Sequence, residues 1–497
     1  MATVKHVRAS LESASFDCSA MQVYEVHGRE AISEPFFFDV RFLVPGEHAF
    51  RAKTALGKSV KLVFSRDGAS VRHVHGIVAE AVDSDPAEEF TRHRLCIVPR
   101  LHRLTLSVGC EVFLGKSVLQ IAVEKLARVG VVGDDVRSKV VDPPAASEFR
   151  LQYAESDLAF VSRHLEHAGI AYSFDHTGET DVLVFSDSNA AFPHASGPES
   201  LPYVTGAEPW GITSLETRSA MVAATHVVND YLPSHPKLDL CGEEGLGVPF
   251  GGEIVDYGTG HRTAREGKAL ARSRALSRQA LAEGFDGESN VPQVEAARTF
   301  AVVGQPGAAM SRVPAALKTQ PGSSRLLVVW VEHHLRQVTD GRFQPDAVLD
   351  YRNRFRAIDA TRPYRPALGT PSPRIAGIVT AVTTAPKSVK ESETPNLDEH
   401  GRYLVRFLFD RADDKARPAS SARVRMMQPH AGAGYGMHFP LKPGIEVAVV
   451  FQEGDPDRPL IAGAVPNALT QSPVMDRNAT TNHLQTESGI RIRMRDR

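Results

Sequence analysis

Cysteine is scarce in this sequence. The 497 residues contain four cysteines, at Cys18, Cys96, Cys110 and Cys241, and no two of them form a CxxC pair. This absence argues against a zinc knuckle and against a thioredoxin-like redox site. Few cysteines in a long chain are typical of a reducing compartment, although four thiols could still pair after export. We interpret all four as plain thiols.

Long apolar runs are also missing. The first 13 residues lack the apolar region of a secretory signal, and the longest apolar run, 326–331, is six residues long. A membrane helix needs about 20. The sequence therefore predicts a protein made and folded in the cytoplasm, which leaves the cell, if at all, without a cleaved signal peptide.

Neither sign of charge predominates. Lys and Arg number 57, Asp and Glu number 59, and the net charge is -2. A nucleic acid as the main partner would call for a basic field, which the composition does not provide. The apolar share of 42% is ordinary for a globular protein, and the length predicts about three domains at roughly 150 residues each.

The first hundred residues alternate as β-strands do. Val60, Leu62 and Phe64 occupy every second position, and the Asp67-Gly68 pair marks a turn before the next apolar positions. Residues 94–98 and 104–108 continue the pattern at hairpin spacing. This region therefore predicts a barrel or a sandwich.

Two helices and a strand pair are predicted next. Residues 117–129 have an apolar face and end at Gly130, and Ser156 is a good N-cap for a helix that ends at Gly169. Strands are predicted at 170–174 and 182–185, joined by a turn at 177–178.

The β pattern resumes at about residue 206. Residues 221–228 and 326–331 are its clearest strands, and 262–282 is an Arg- and Ala-rich helix whose arginines we interpret as a solvated face. Four prolines between 363 and 373 then predict a stiff linker. Strand-like segments follow, which predict a five-stranded barrel of the OB type: 374–382, 402–409, 422–427 and 445–451.

The last residues form an amphipathic strand. Ile490, Ile492 and Met494 alternate with three arginines, and the sequence predicts no partner strand in the chain to cover the apolar face. A lone strand of this kind needs neighbours, which a homotrimer would supply. We therefore predict that these three residues lie in a trimer interface at the start of a spike.

Two phosphate-loop look-alikes fail on spacing. Gly57-Lys58-Ser59 and Gly115-Lys116-Ser117 each need a glycine five residues before their own glycine, and those positions hold Ala52 and Cys110. No nucleotide or other cofactor is predicted.

Other chemical motifs are equally weak. The 73–75 and 332–334 histidine segments lack a third metal ligand at recognisable spacing, and Asp455 and Asp457 flank Pro456, which indicates a turn rather than a glycosidase pair. No GxSxG motif occurs. We predict no catalytic residue, no metal ligand and no enzymatic activity. The glycines of 432–436 we interpret as allowing close backbone packing.

Several sequence blocks, taken in order, resemble the VgrG family, which is related to the hub and spike of contractile phage tails. They are 71–78 (VRHVHGIV), 152–158 (QYAESDL), 351–358 (YRNRFRAI), 428–437 (QPHAGAGYGM) and 453–459 (EGDPDRP). The chain departs from the family pattern at His430, often aromatic in the family, and at Leu441-Lys442, usually Pro-Arg. Family spikes also continue as a long β-helix, whereas this chain reaches only its first strand.

The resemblance implies a mainly β fold with some α. It comprises two tube-like β-barrel domains with an α+β insert, an OB-fold barrel and the start of a trimeric β-helix spike. The expected divisions are 1–115 for the first barrel, 116–205 for the α+β domain, 206–366 for the second barrel with a helical insertion near 262–282, 367–372 for the Pro-rich linker, 373–468 for the OB-fold and 469–497 for the spike.

The resemblance also implies a structural role as the hub and spike base of a type VI secretion system. A homotrimer would cap the hexameric inner tube, contact baseplate components, carry effectors and a tip protein, and meet a target membrane only on firing. Two other hypotheses remain open within this architecture: the hub of a phage-tail-like injection particle, or a hub that carries a cell-wall hydrolase. A third is a binding module for oligosaccharide or single strands, although the OB region lacks a row of aromatics beside basic residues.

Overall fold

The computed structural model describes residues 6–46, 50–84, 90–204, 210–304, 325–337, 350–385, 394–411 and 421–495. The chain separates into two compact units. The first comprises Met1–Ser107, Val118–Pro144 and Asp157–Pro371, and the second comprises Val108–Ser117, Ala145–Ser156 and Ser372–Arg497.

Six antiparallel strands form the first part of unit one. They are β1 (Val7–Glu12), β2 (Gln22–Ala31), β3 (Glu34–Pro45), β4 (Ser59–Arg66), β5 (Ala69–Asp83) and β6 (Phe90–Val98). Their order is β1-β4-β5-β6-β3-β2. The predicted turn is confirmed: Asp67 and Gly68 both have positive φ, as a two-residue hairpin loop requires. Phe38, Phe42 and Phe64 are fully buried in the core of this array.

The side chain of Gln337 bridges the two outer strands of this array. Its oxygen accepts a hydrogen bond from the Ala9 N–H of β1 at 2.8 Å, and its amide nitrogen donates to Ala9 O at 3.0 Å and to Val23 O of β2. One glutamine thus supplies hydrogen bonds that a backbone ladder would otherwise provide.

The segment after β6 differs from the prediction. Residues 104–108 were predicted as a strand, which is wrong: Arg100–Leu106 is a 3-10 helix, and the strand begins only at Val108. Leu101 and Leu104 are both buried, and their spacing of three residues suits a 3-10 turn better than a strand.

An α+β layer and a separate strand pair follow. Their elements are β7 (Val108–Lys116), α1 (Val118–Arg128), β8 (Val136–Lys139), β9 (Ser147–Ser156), α2 (Asp157–His167), β10 (Ala171–Asp175) and β11 (Val182–Ser186). Strands β7 and β9 pair with each other and belong to unit two. Both helices are confirmed, and so is the β10–β11 pair.

The remaining elements of unit one form a second barrel with an insertion. They are β12 (Ser200–Tyr203), β13 (Ile212–Ser219), β14 (Thr225–Asn229), β15 (Gly242–Gly245), β16 (Glu253–Tyr257), α3 (Ala264–Ala282), β17 (Glu283–Ser289), β18 (Thr299–Gly304), β19 (Arg325–Arg336) and β20 (Asp350–Asp359). The order β19-β18-β12-β13-β17-β20 closes on itself because β20 also pairs with β19. Phe300 and Phe355 meet edge to face in its core at 5.8 Å.

The two six-stranded arrays share one continuous sheet. Strand β2 of the first pairs antiparallel with β19 of the second, with Glu30 opposite Val331 and His27 opposite His334. Backbone hydrogen bonds therefore join the arrays across about 300 residues of sequence.

The predicted strand at 221–228 is only partly correct. The structure has β13 ending at Ser219 and β14 beginning at Thr225, and the two belong to different sheets. Strand β14 pairs with β15 and β16 in a small sheet outside the barrel.

Unit two contains the OB-type barrel. Its strands are β21 (Val379–Thr384), β22 (Leu404–Phe407), β23 (Ala431–Gly432), β24 (Tyr435–Gly436), β25 (Glu446–Phe451) and β26 (Pro459–Ala464). Four of them have the order β22-β21-β25-β26. Residues 422–427, predicted as a strand, make only isolated bridges, from Val424 to Tyr403 and from Met426 to Ile461. These bridges span the gap between the two ends of the sheet.

Strands β7 and β9 contribute side chains to the core of unit two. Val112, Phe149 and Leu151 pack with Tyr403 and Phe407 of the OB barrel. The predicted boundary at 115/116 therefore divides a strand that the structure groups with unit two. The other divisions predicted from the sequence remain predictions.

The chain closes with the hairpin of β27 (Thr481–Gln485) and β28 (Arg491–Arg495). The prediction that β28 has no partner in the chain is wrong, because β27 pairs with it along its whole length. The preceding sequence alternates too weakly for β27 to be recognised as a strand.

Candidate assembly surfaces and chemical sites

The terminal hairpin presents an apolar face to solvent. Ile490, Ile492 and Met494 are 68%, 56% and 62% exposed, and Leu484 lies opposite Ile492 on β27. The structure therefore places the three predicted interface residues on one exposed face. An exposed apolar stripe of this kind is typical of a surface that another chain covers.

A buried ionic cluster lies where the two arrays meet. Arg72 of β5 donates to Glu30 of β2, with Nη2 and Oε1 2.5 Å apart, and to the backbone oxygen of Pro292 at 3.0 Å. His333 of β19 lies 3.1 Å from the second Glu30 oxygen. All three side chains are less than 10% exposed. We call Glu30, Arg72 and His333 the seam cluster.

Both ring nitrogens of His333 have polar partners. Nδ1 lies 2.6 Å from the Tyr351 hydroxyl, which accepts a hydrogen bond from Asn353 at 3.0 Å. Nε2 lies 3.1 Å from Glu30 Oε2 and 3.2 Å from Arg72 Nη1. Glu30, Arg72, His333 and Tyr351 come from four strands, β2, β5, β19 and β20, so the cluster fixes their relative positions.

The environment lowers the pKa values of both Glu30 and His333. Burial alone would raise the pKa of Glu30, but Arg72 and His333 outweigh it and hold that pKa far below its usual range. Burial lowers the pKa of His333 to about 4. Glu30 is therefore ionised and His333 neutral at pH 7, with Arg72 compensating the carboxylate.

A second buried histidine joins the α+β layer to the first array. His176 Nδ1 accepts a hydrogen bond from the backbone N–H of His75 at 3.2 Å, and Phe36 meets the ring edge-on at 5.2 Å. Burial lowers the pKa of His176 to about 3. Protonation would place an N–H against the N–H of His75, so the contact requires the neutral ring.

The histidines of the 73–75 and 332–334 segments, which were considered as metal ligands, point in different directions. His333 is buried in the seam cluster, whereas its neighbour His334 faces outward against His27, with ring centroids 4.6 Å apart. His73 bonds to Ser70 at 2.6 Å. Within the described residues, no group of three or more His, Cys, Asp or Glu side chains could hold a metal ion.

The phosphate-loop look-alike at Gly57 is a turn, whereas Gly115 and Lys116 lie at the end of strand β7. Gly57 has a φ of 73°, its N–H donates to Val78 O at 2.8 Å, and the Lys58 N–H donates to Ala55 O at 3.0 Å. These amides are already hydrogen-bonded, so they are not available to hold a phosphate.

The paired carboxylates of the 455–457 turn support the backbone. Asp457 accepts a hydrogen bond from the Leu151 N–H of β9 at 2.7 Å, and Asp455 accepts from the Asp457 N–H at 3.0 Å. Asp455 also pairs with Arg458. Their geometry is that of a turn that anchors β9.

The glycines of 432–436 have the packing role that was predicted. A Cβ on Gly436 would lie 2.6 Å from the backbone oxygen of His430, so glycine allows this close approach. All four cysteines are free thiols, and burial raises the pKa of Cys18 to about 11 and of Cys96 to about 12. Neither of these two is a reactive thiolate at pH 7.

Two family models match the chain in consecutive regions. The phage tail baseplate hub (GPD) model covers residues 29–339, and the type VI secretion system/phage-baseplate injector OB domain model covers 394–465. The first spans well over half of the chain. The chain belongs to the phage tail baseplate hub family. The hub match runs from the last residues of β2 to the end of β19 and thus includes most of the shared sheet.

Curated relatives confirm the VgrG resemblance. Type VI secretion system spike protein VgrG4b of Pseudomonas aeruginosa is 30% identical over 484 residues, and VgrG5 of the same species is 31% identical over 508. These alignments cover 94% and 97% of this chain but only 57% and 60% of the relatives. The hub chain described here thus spans about three-fifths of their length.

Other comparisons bear on fold and activity. An E. coli type VI secretion component, described as structurally similar to the T4 bacteriophage tail proteins gp27 and gp5, has a TM-score of 0.64 at 23% identity and covers 92% of this chain and 99% of its own. This likeness supports the mainly β hub fold. A Vibrio cholerae relative, 28% identical, is named actin cross-linking toxin VgrG1, and the aligned region is 44% of it and 98% of this chain. Among the described residues, no helix is long and apolar enough to cross a membrane.

Proposed function

We propose that the protein is the structural hub and spike base of a type VI secretion system. The observation that carries the proposal is the consecutive match to the hub and injector OB models, together with two six-stranded arrays in one sheet. Three such chains present six arrays, which suits a hexameric tube on one side and a three-fold spike on the other.

The terminal hairpin supplies the proposed spike contact. Ile490, Ile492 and Met494 share an exposed face, and three copies of the β27–β28 hairpin would cover these faces mutually. Burial of three large apolar side chains contributes roughly 1.5–3 kcal/mol each. The sequence divisions at 373–468 and 469–497 correspond in this proposal to the OB collar and the first turn of the spike.

The role is mechanical rather than catalytic. The carboxylates and histidines that suggested chemistry are engaged in turns or in the seam cluster, which supports a protein whose work depends on kinetic stability. In this proposal the partners are the tube protein, baseplate components, effectors and a tip protein, with no nucleic acid. The protein waits in the bacterial cytoplasm, is exported by the machine without a signal peptide, and meets a target membrane only on firing.

Mass in solution tests the proposal. Light scattering of the purified chain at two concentrations should give three times 54.0 kDa. A folded chain that stays at 54.0 kDa at both concentrations would contradict the trimeric hub.

The hub of a phage-tail-like injection particle is the second candidate, because the OB model describes both kinds of machine. Pull-down of the inner-tube protein from each system separates the two. Binding to a type VI tube protein but not to a phage tube protein favours the first candidate.

A further inference from the structure

The insertion at 220–282 forms a two-layer module at the tip of a barrel hairpin. Strands β13 and β17 pair up to Ser219 and Glu283, and the Ala220 N–H donates to Ala282 O at 2.8 Å. Between these points lie the sheet β15-β14-β16 and helix α3. We call residues 220–282 the insertion module.

Helix α3 covers one face of this sheet. A Cβ on Gly242 would lie 2.3 Å from the backbone of Gly267, so β15 and α3 touch there through glycines. Val228 pairs with Gly242 and is fully buried. Because side chains alternate along a strand, residues offset by one from Gly242 and Val228 lie on the opposite face.

The opposite face is exposed along its two edge strands, whereas Val227 at its centre is buried. Val255 and Tyr257 of β16 are 58% and 53% exposed, and Glu253 of β16 and Glu243 of β15 are exposed on the same face. Neither glutamate makes an ion pair with any described residue. This face therefore combines an apolar strip with acidic residues on both sides.

The exposed side of α3 is basic. Arg265, Lys268 and Arg272 recur at helical spacing and are all exposed, and none of them forms an ion pair within the described parts of the chain. Arg265 also lies in the first helical turn, where the macrodipole disfavours a cation. A cationic stripe with no local compensation fits an anionic partner surface.

The two surfaces have matching dimensions. Arg265 and Arg272 are separated by seven residues, which is about 10 Å along a helix. Glu243 and Glu253 lie two strands and two residues apart, which is about 12 Å across a sheet. One helix can thus lie across the exposed sheet face with its cations near both glutamates and Ala269 above the apolar strip.

We propose that α3 of one copy packs on the exposed sheet face of the next copy. The contact is head to tail, so three copies close into a ring if the rotation between them is 120°. The inference rests on the proposed trimer, and it assigns that trimer a second interface, remote in sequence from the terminal hairpin. The partner is a second copy of this chain because both complementary surfaces occur on one module.

Charge reversal with rescue tests the inference. R265E/K268E/R272E and, separately, E243K/E253K should each weaken trimerisation by at least about tenfold, because attraction becomes like-charge repulsion. The five-substitution combination should restore the trimer. Trimer mass is measured by light scattering over a concentration series at low and moderate salt.

Unfolding does not explain the expected loss. A glutamate at position 265 suits the first turn of a helix better than arginine does, so the helix variant should fold at least as well. The matched control R51E/K53E/K58E reverses three exposed cations of the first array and should leave trimerisation unchanged. Circular dichroism verifies the fold of every variant.

The outcomes separate this inference from the proposed function. A wild-type trimer that survives both reversals overturns the inference and leaves the hub proposal standing. Weakening by both reversals without rescue by the combination also overturns the pairing of these two surfaces. A wild-type monomer contradicts the trimer and this interface together.

Discussion

Removing Arg72 should destabilise unit one more than removing any surface cation. Its guanidinium is 1% exposed and lies 2.5 Å from Glu30, which is itself only 9% exposed. The Arg72→Met change keeps most of the apolar volume but leaves the Glu30 carboxylate buried without its cation. Breaking a buried pair in this way costs about 3–5 kcal/mol.

The assay is thermal unfolding of the purified protein at pH 7.5 and one scan rate. Each kcal/mol shifts the Tm by about 2–4 °C in a unit of 150–250 residues, and by somewhat less in a larger one. We therefore expect the Tm of Arg72→Met to fall by roughly 5–10 °C. The fixed scan rate matters because a large protein of this kind can unfold irreversibly.

Two variants serve as controls. Arg94→Met removes a guanidinium that is 31% exposed and lies 3.3 Å from Asp39, so it should cost less than about 1 kcal/mol. The double variant Arg72→Met/Glu30→Leu removes both buried charges and should recover part of the loss. Equal Tm losses for Arg72→Met and Arg94→Met would refute the reasoning, because burial would then have no effect on the value of the pair.

Three further predictions concern stability at low pH, the bridge that Gln337 makes between β1 and β2, and the proposed spike contact. The pKa of His176 is lower in the folded chain than in the unfolded chain, so the stabilising effect of the neutral ring is present above about pH 6.5 and is lost as the pH falls towards about 3. The Tm drop between pH 7.5 and pH 4 should therefore be smaller in His176→Gln than in the wild type. An equal drop in the two proteins would contradict this. Gln337→Leu should cost about 1–3 kcal/mol, because Ala9 and Val23 lose their side-chain partner; urea unfolding measures it, and an unchanged midpoint would show that Gln337 does not hold β1 to β2. Ile492→Asp should yield monomers by light scattering at the wild-type Tm of unit one, and a persistent trimer would exclude the hairpin as an essential interface.

Local sequence patterns predicted the helices and strands whose buried residues recur at a regular spacing. The alternation of Val60, Leu62 and Phe64 gave β4, and apolar stripes gave α1 and α2. The 3-10 helix at Arg100–Leu106 was missed because Leu104, Leu106 and Val108 alternate as in a strand, although only Leu104 of the three is buried. Such short segments take their conformation from the surface on which they pack.

The candidate sites differ in the same way: those formed by neighbouring residues were predicted, and those formed by distant residues were not. The exposed face of Ile490, Ile492 and Met494 was visible in the sequence because its alternation is local. The seam cluster was not predicted, because Glu30 and His333 are 303 residues apart and meet only through strand pairing. One signal was present: His333 shares its strand face with Val331 and Leu335, so a buried histidine could have been inferred.

The pairing of β2 with β19 sets an order of events during synthesis. Glu30 meets Val331 only after about 300 further residues have left the ribosome, which takes roughly 15–60 s at bacterial translation rates. Until then β2 is an unpaired edge, and such an edge is a template for aggregation. The strand that joins the two arrays in the mature protein is therefore an aggregation-prone edge of the nascent one.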